Sequence, residues 1–442
     1  MKTILLVISL LLLFTAVATV VFAGEMLTLD QAVERALTNN PALKAADAQV
    51  EAAQAGILKS RSGILPKVTL SETWSKSDNP LMVLGTKLNQ EIVSPLDFAP
   101  DAINHPDPMS NYNTRLSVMQ PVFNGGKEYI GMQQARLATE AAQQDRNRTR
   151  QETVFNVVKA YYSLLLAKEY HKVAQQSLET SEASMKLAEA RYLAGAVLQS
   201  DLLRARVQLA EVTEMATRAG NNVKLAAAGL NYAMGVPQDS AYEVEGTLTA
   251  RETEEGLDSM ASEALSLRPD LVSLDRNRKN AEANVKQARS DYIPTLNLMG
   301  QTDWNSDRIG GSDAKSWAVM AVLSWNVFDG MVTTSRVREA AATVSKVKAQ
   351  EEQMRSGVQL QVRQAYYTLE ASHERIAATS SSVQEAEEGL RIVQKRYEAG
   401  MTTFVDVLGA ENALIRSRTN ALQALYDNNV AFAELKLAAG TL

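Results

Sequence analysis

The sequence predicts an α+β membrane protein built from two successive copies of one helix–strand–strand–helix–helix unit. Three observations predict this class. The N-terminus carries an export signal, short motifs recur at constant separations, and four segments change from helical to alternating apolar periodicity. No apolar stretch of about 18 residues follows the signal, so a mature chain that crosses a membrane is expected to cross it as strands.

The composition of the 442-residue chain excludes several other classes of protein. Because the chain has no cysteine, it can hold neither a disulfide framework nor a zinc–thiolate site. Its formal net charge of -6 provides no basic surface for nucleic acid, which we do not expect as a partner. With 11 Pro and 22 Gly, the chain is neither disordered nor collagen-like.

Residues 1–23 have the pattern of a signal peptide. Lys2 supplies a positive charge, an apolar stretch runs from Ile4 to Phe14, and Val21-Phe22-Ala23 ends in the small-x-small pattern of a cleavage site. We expect cleavage after Ala23, so that the mature chain begins at Gly24. An uncleaved membrane anchor is the alternative, because the apolar run reaches about 20 residues, which is enough to span a bilayer.

Motifs recur along the chain with two constant separations. Asn40-Pro41-Ala42-Leu43 has its counterpart in Arg268-Pro269-Asp270-Leu271. Further on, Arg191-Tyr192-Leu193-Ala194-Gly195 has its counterpart in Arg396-Tyr397-Glu398-Ala399-Gly400, at a shorter separation. The change of separation lies between Pro66 and Phe123, in a proline-rich interval that we interpret as an enlarged, irregular loop.

The two repeats occupy 24–240 and 241–442, and we expect them to form one elongated unit. Thr28-x-x-Gln31 has the pattern of a capping box at the start of the first helix. From Gly126 to Ala194 the residues are good helix formers without proline, which predicts a helix about 100 Å long. Apolar residues at steps of four, three and four predict a coiled-coil seam along this helix: Val154, Val158, Tyr161 and Leu165.

Alternating apolar and polar residues predict two strands in each repeat, at about 66–76 and 111–123 and at about 294–304 and 316–328. A strand of about ten residues is long enough to cross a bilayer at a tilt. We interpret the four tryptophans as an interfacial girdle on a membrane barrel, although strand propensity alone is an alternative explanation. These tryptophans are Trp74, Trp304, Trp317 and Trp325.

No catalytic or metal-binding pattern accompanies these elements. The three histidines, at 105, 171 and 373, are far apart and form no HExxH-type pair. Asn124-Gly125-Gly126-Lys127-Glu128 is only superficially similar to a phosphate-binding loop, because Glu follows the Lys where Ser or Thr is needed. We therefore expect no enzyme, no metal and no cofactor.

The order of these features resembles the TolC-type outer membrane efflux protein family, the outer membrane factors of tripartite efflux and type I secretion systems. The resemblance runs from Leu27 to Gly440, and its motifs are Gln120–Gly126, the paired Arg-Tyr-x-Ala-Gly and Phe404–Leu408. It implies a homotrimer in the outer membrane of a Gram-negative bacterium. Each protomer would give four strands to a shared 12-strand β-barrel, and its helices would form a long α-helical coiled-coil barrel through the periplasm.

The resemblance also implies a function and partners. The protein would be a passive exit duct that conducts substrate from an inner-membrane pump and a periplasmic adaptor (membrane fusion) protein to the outside. The duct would be embedded in outer-membrane lipid, with the loop at about 77–110 outside the cell. The residues implied at the periplasmic aperture are Asp201, Asp406, Tyr397, Tyr192 and Thr402. The residues implied at the hairpin tips, where the adaptor binds, are Gly195, Gly400, Ser200 and Thr403.

Two positions depart from the family pattern. Thr402 stands where the archetype has an arginine, and Gly409 stands where it has a second ring aspartate. Helix capping is the alternative role for the two acidic residues. Ser200 and Asp201 would then cap a helix that begins at Leu202, and Thr403 with Asp406 would form a capping box.

Oligomerisation has independent physical support, because four strands cannot close a barrel and an open edge in lipid leaves backbone groups unpaired. Closure therefore needs at least two chains, and the number three comes from the resemblance.

Two other functions are compatible with the sequence. A soluble periplasmic coiled-coil scaffold or adaptor would have no lipid-facing strands, and an exported enzyme would need a polar site that the sequence does not show.

Overall fold

The structure is a computed structural model that describes residues 25–442, so the predicted signal peptide lies outside the described residues. The chain divides into two compact units. The first contains the described residues up to Ala45, Asn147–Arg268 and Ser356–Leu442, and the second contains Ala46–Arg146 and Pro269–Arg355. Across 25–442, no helix combines the length and the apolar character that a membrane span requires.

Helices and strands follow one another in the order that the repeat predicts, with additional short elements. In chain order they are β1 (Glu25–Leu27), α1 (Leu29–Asn39), α2 (Pro41–Arg61), β2 (Lys67–Ser77), α3 (Pro80–Asn89), α4 (Pro100–Asn104), β3 (Met109–Asn124), α5 (Lys127–Leu193), α6 (Gln199–Met234), β4 (Tyr242–Val244), α7 (Leu257–Leu267), α8 (Pro269–Arg289), β5 (Thr295–Ser306), β6 (Ala314–Ser324), α9 (Val332–Glu398) and α10 (Phe404–Ala439).

The main helices occur in pairs of equal length, one from each half of the chain. α1 and α7 have 11 residues each, and α2 and α8 have 21. α5 and α9 have 67 residues each, and α6 and α10 have 36. The sequence distance between the two members of a pair is the same for the two helix pairs that precede the strands. It is shorter, but again the same, for the two pairs that follow the strands, as the motifs predict. The duplicated architecture is therefore present in the structure.

The first helix begins where the capping box predicts. The Thr28 side chain accepts a hydrogen bond from the Gln31 backbone N–H, and the Gln31 side chain accepts one from the Thr28 N–H at 3.0 Å. The predicted seam on α5 is also confirmed, because its four residues are all buried: Val154, Val158, Tyr161 and Leu165. Helix propensity and apolar spacing therefore predicted the position and the buried side of this long helix correctly.

A small parallel sheet lies against α5 in the first unit. β1 pairs with β4, and the Tyr161 hydroxyl lies 2.9 Å from the Leu27 carbonyl oxygen and 2.5 Å from the Glu245 carbonyl oxygen. Burial of this phenol raises its pKa. The sequence analysis missed both strands, because three residues are too few to show alternation.

The end of α6 packs against the junction between α1 and α2. Asn40 Nδ2 donates to the Ala233 carbonyl at 2.8 Å, and Gly235 ends the helix with a left-handed φ of 71°. A Cβ on Gly235 would lie 2.7 Å from Asn40 Cα. The second repeat has the same arrangement, where Gly440 ends α10 beside Arg268. Glycine is therefore needed at these positions for close backbone approach as well as for φ.

We expect Gly235→Ala to lower the free energy of unfolding by about 2–5 kcal/mol, because it adds left-handed strain of about 1–2 kcal/mol to overpacking of about 1–3 kcal/mol. Gly195→Ala is the matched control. Its φ of 70° is nearly the same, but its Cβ would meet nothing within 4 Å, so only the strain is expected. Thermal and denaturant unfolding of the two variants measures the difference. Equal losses would show that the junction at Asn40 does not constrain Gly235.

The four longer strands form one antiparallel sheet in the order β2-β3-β5-β6. Each repeat contributes one hairpin, and β3 pairs with β5 to join the two hairpins. A bulge between Pro121 and Phe123 places Phe123, rather than Val122, opposite Leu296. The strand predicted at about 316–328 ends earlier than expected, because β6 ends at Ser324 and Trp325 lies outside it.

The interval between β2 and β3 is not irregular, which corrects the sequence interpretation. It contains α3, a 3₁₀ turn at Pro95–Phe98 and α4. Three of its prolines begin these elements, where the missing proline N–H costs no hydrogen bond and the fixed φ suits a helix: Pro80, Pro95 and Pro100. A high proline content therefore did not indicate an irregular loop here. Asn79 before Pro80 has the pattern of an N-cap and could have predicted the helix.

Candidate functional site

The sheet of the second unit has one apolar and one polar face. The strand register places these apolar side chains together on one face: Val68, Leu70, Trp74, Tyr112, Leu116, Val118, Leu296, Leu298, Trp304, Trp317, Val319, Ala321 and Leu323. Several of them are highly exposed, including Leu70 at 70% and Val319 at 72%. An exposed apolar face on strands of this length suits contact with lipid.

Aromatic residues lie at both ends of this apolar face. Trp74, Trp304 and Trp317 lie towards the end where α3 begins, and Trp325 follows β6 at the opposite end, where its Nε1 donates to the Tyr292 carbonyl at 3.1 Å. Nine residue steps separate Trp304 from Thr295, or about 30 Å along the strand. At a tilt of about 40° this corresponds to a height of about 23 Å, close to the roughly 25 Å apolar band of membrane barrels.

The opposite face carries a hydrogen-bonded network of polar side chains. Arg115 Nε lies 2.6 Å from Asp303 Oδ1, and Asn113 Nδ2 donates to the same carboxylate at 3.1 Å. Asn111 Nδ2 donates to Asn305 Oδ1 at 2.9 Å. A row of methionines interrupts this polar character, at Met119, Met299 and Met320. Polar groups of this kind are suited to lining an aqueous lumen rather than to lipid.

The outer strands of the sheet have one partner each. Within residues 25–442, β2 pairs only with β3, and β6 pairs only with β5. Each therefore presents a row of backbone donors and acceptors along its free edge, which lipid cannot satisfy. An apolar face beside two open edges needs further strands to close it.

The hairpin tips of the first unit are built on two matching turns. Gly195 and Gly400 have φ of 70° and 72°, and each donates its N–H to the carbonyl of the tyrosine three residues earlier, at 2.9 and 3.0 Å. Ala196 and Met401 then donate to carbonyls five residues earlier, which completes a Schellman motif at each helix end. The predicted tip glycines therefore terminate α5 and α9.

Asp406 lies in the first turn of α10 and caps it. Its Oδ2 accepts hydrogen bonds from Thr402 Oγ1 at 2.5 Å, from Thr403 Oγ1 at 2.7 Å and from the Thr403 N–H at 3.0 Å. The capping box predicted for Thr403 and Asp406 is confirmed. These donors, with Thr402 first, lower the pKa of Asp406 from 3.8 to about 2. The exposed carboxylate therefore stays charged at neutral pH.

The capping role considered for Ser200 and Asp201 is wrong. α6 begins at Gln199 rather than Leu202, and its N-cap Leu198 makes no side-chain cap bond. Asp201 instead lies in the first turn, where its negative charge suits the helix dipole, and Arg204 Nη1 lies 3.9 Å from its carboxylate. Ser200 is exposed.

The two tip tyrosines have different surroundings. Tyr192 is 37% exposed, whereas Tyr397 is 3% exposed and packs in a small core with four residues from the other tip helices. These are Ala188, Ala205, Phe404 and Val407. Burial raises the pKa of the Tyr397 phenol, and the charge of Asp201 raises it further. The buried Tyr397 hydroxyl has no hydrogen-bond partner among the described residues, so the network implied between Tyr397 and Asp201 stays a prediction.

Arg191 is a tip residue whose role the sequence analysis missed. Its Nη1 donates to the Tyr397 carbonyl at 2.6 Å, and its Nη2 donates to the Glu398 carbonyl at 2.5 Å. The guanidinium carbon lies 4.6 Å from the centroid of the Tyr397 ring. A cation here satisfies the free carbonyls at the C-terminus of α9 and favours its dipole, so Arg191 joins the two hairpin tips.

Glu411 is a second residue that the sequence analysis did not single out. It is 5% exposed on α10, and Ser184 Oγ on α5 donates to its Oε1 at 2.6 Å. Burial raises the pKa of this carboxyl above 4.5, and the Ser184 bond only partly offsets the shift.

We expect Glu411→Gln to stabilise the fold at pH 7–8. A carboxyl with a raised folded pKa favours folding while it is protonated, so its contribution falls as pH rises above 4.5. The neutral amide still accepts the Ser184 bond. We expect a gain of about 1 kcal/mol, or about 2–4 °C in Tm, that disappears at pH 4. Thermal unfolding from pH 4 to pH 8 measures it, and a gain independent of pH would contradict the raised pKa.

Comparison with known proteins shows which family has this architecture. The family model of outer membrane efflux proteins matches residues 32–236 and 260–441. The chain is 24% identical over 428 residues to outer membrane protein TolC of Escherichia coli, covering 93% of this chain and 82% of TolC. It is 25% identical over 421 residues to the alkaline protease secretion protein AprF of Pseudomonas aeruginosa, covering 92% and 83%.

Solved structures share the fold. The outer-membrane channel OprN aligns with a TM-score of 0.78 at 22% identity, over 94% of this chain and 90% of that one. The outer membrane protein VceC of Vibrio cholerae aligns with a TM-score of 0.76 at 20% identity, over 93% and 96%.

Proposed function

This chain belongs to the outer membrane efflux protein family, and from that premise we propose that it is a passive exit duct. Three copies would close a 12-strand barrel in the outer membrane and continue it as a helical tunnel in the periplasm. Substrate would pass from an inner-membrane pump, through a periplasmic adaptor protein, to the outside of the cell.

Membership of the family makes the protein an outer-membrane protein and not an enzyme. The observation that carries the proposed duct is the sheet of β2, β3, β5 and β6. It has an apolar face, a polar face and two open edges, so copies joined edge to edge would bury every edge while turning the apolar face to lipid. Single-chain barrels start at about eight strands, so four strands need partners.

The hairpin tips are the proposed periplasmic mouth. Its aperture residues are Asp201, Asp406, Tyr397, Tyr192 and Thr402. The adaptor would contact the exposed tip residues Gly195, Gly400, Ser200 and Thr403. Arg191 supports this assignment, because it ties the end of α9 to α5 and so gives the mouth a contact that can break when the tips separate.

The duct is tested by membrane fractionation and planar-bilayer recording on the purified protein. We expect the protein to remain in the outer-membrane fraction after a salt wash and to form ion-conducting channels in a bilayer without any added energy source. Release by salt together with absence of current would contradict the duct and favour a soluble periplasmic scaffold.

A further inference from the structure

The segment between β2 and β3, residues 78–108, folds into a defined structure of its own. Asn79 Oδ1 accepts the N–H groups of Leu81 and Met82 at 3.1 and 3.2 Å, which caps α3. Lys87 Nζ lies 2.6 Å from Asp97 Oδ1, so an ion pair joins α3 to the following turn. Hydrogen bonds from Lys87 and then Ser94 lower the pKa of Asp97 to about 2, so this carboxylate is charged at neutral pH.

This segment is anchored to the sheet at its buried residues. Gln90, which is 5% exposed, donates from Nε2 to Asn111 Oδ1 at 2.9 Å and to the Ser110 carbonyl at 3.1 Å. Val83 on α3 is 3% exposed. α3 contacts both β3 and β6, and since β5 lies between these strands, the helix crosses the sheet.

The face that α3 covers is the polar one. Asn111 joins Gln90 to Asn305, and both asparagines belong to the polar network. Asn305 and Ala314, paired on this face, are 4% and 3% exposed. On the apolar face at the same level of the strands, Trp74 remains 59% exposed. The segment therefore lies on the polar face of the sheet, at the strand ends away from α2 and α8.

We propose that residues 78–108 form a lid that narrows the outer end of the channel and moves aside for transport. This proposal rests on the proposed duct, because the polar face is a lumen only in a closed barrel. Twelve strands spaced about 4.8 Å apart and tilted about 40° enclose a cylinder about 24 Å across. A helix is about 10 Å thick, so three such helices on the inner wall occupy most of that width.

The second repeat supplies a natural comparison. Its hairpin, β5–β6, is closed by only seven residues, 307–313, so the sheet itself does not require a long connection. Replacing residues 78–108 with the sequence of 307–313 therefore removes the lid while leaving the strands. We expect this variant to assemble and to show at least about twofold higher single-channel conductance. Val83→Asp, which places a charge in the buried contact of α3, is expected to change the conductance in the same direction.

The absence of cysteine allows the opposite experiment, in which the lid is locked. Gln90→Cys with Asn111→Cys, joined by a short bifunctional thiol reagent, holds the lid on the polar face. We expect the joined channel to conduct at least about fivefold less than the same protein before treatment. Each single cysteine variant, treated in the same way, carries the reagent without a link and is the control.

The outcomes separate the lid from the duct. Channels that conduct but respond neither to the lock nor to lid replacement would overturn the lid and leave the duct intact. Lack of current from the wild-type protein would instead overturn the duct. Equal losses in the linked and the singly modified proteins would also overturn the lid, because the effect would then come from the reagent.

Discussion

Val319→Arg is expected to prevent the assembled protein from accumulating in the outer membrane. Val319 lies opposite Gly300, in the central row of the sheet, on the apolar face. An arginine at the bilayer midplane of a membrane barrel costs about 2–4 kcal/mol. Three copies would multiply this to about 6–12 kcal/mol, which is comparable to the whole stability of a typical domain.

Ala318→Arg is the matched control for this prediction. Ala318 is the neighbouring residue of β6 and pairs with Gln301 on the polar face, so its arginine would face the lumen. We expect Ala318→Arg to reach the outer membrane at nearly wild-type levels, as measured by membrane fractionation and quantitative immunoblotting. Loss of Ala318→Arg alone would reverse the assignment of the two faces, and equal loss of both variants would contradict it.

Asp406→Ala is expected to raise single-channel conductance and to weaken block by Mg²⁺ at least about tenfold. If three copies place their Asp406 carboxylates around one axis, the ring attracts cations and obstructs their passage. The donors from Thr402 and Thr403 keep each carboxylate charged at neutral pH. Because neighbouring carboxylates in a ring raise one another's pKa, block should weaken as the pH falls and the ring becomes protonated.

Asp329 provides a matched control for the charge at the mouth. Its Oδ2 accepts hydrogen bonds from the Thr333 N–H at 2.8 Å and from Thr333 Oγ1 at 2.6 Å, and these bonds lower its pKa. Asp329→Ala thus removes a similar helix-start carboxylate that is not at a hairpin tip. We expect block to be unchanged in this variant, measured in planar bilayers with and without Mg²⁺. Unchanged block in Asp406→Ala would exclude the ring.

The helices and strands could be predicted because local signals specify them. The capping box at Thr28, the proline-free stretch before Leu193 and the alternation around Val319 each depend on neighbouring residues only. β1 and β4 could not be found in the same way. These three-residue strands are formed by pairing between distant parts of the chain, and their sequence carries no periodicity.

The site was less predictable because equivalent positions of the repeat make different contacts. Arg191 and Arg396 occupy the same place in the paired motif, yet Arg191 bonds the carbonyls at the end of α9 whereas Arg396 is exposed. Tyr192 and Tyr397 differ in the same way. Packing of the two hairpins against each other decides which copy is buried, and a comparison of motifs within one sequence does not contain that information.

The central claim is that several chains together close the sheet, and a structure of the protein extracted in detergent by electron cryomicroscopy tests it most directly. We predict a particle of three chains in which β2 of one chain pairs with β6 of the next, so that no strand edge faces lipid. A particle of one chain, or a particle in which β2 and β6 keep open edges, would contradict the account.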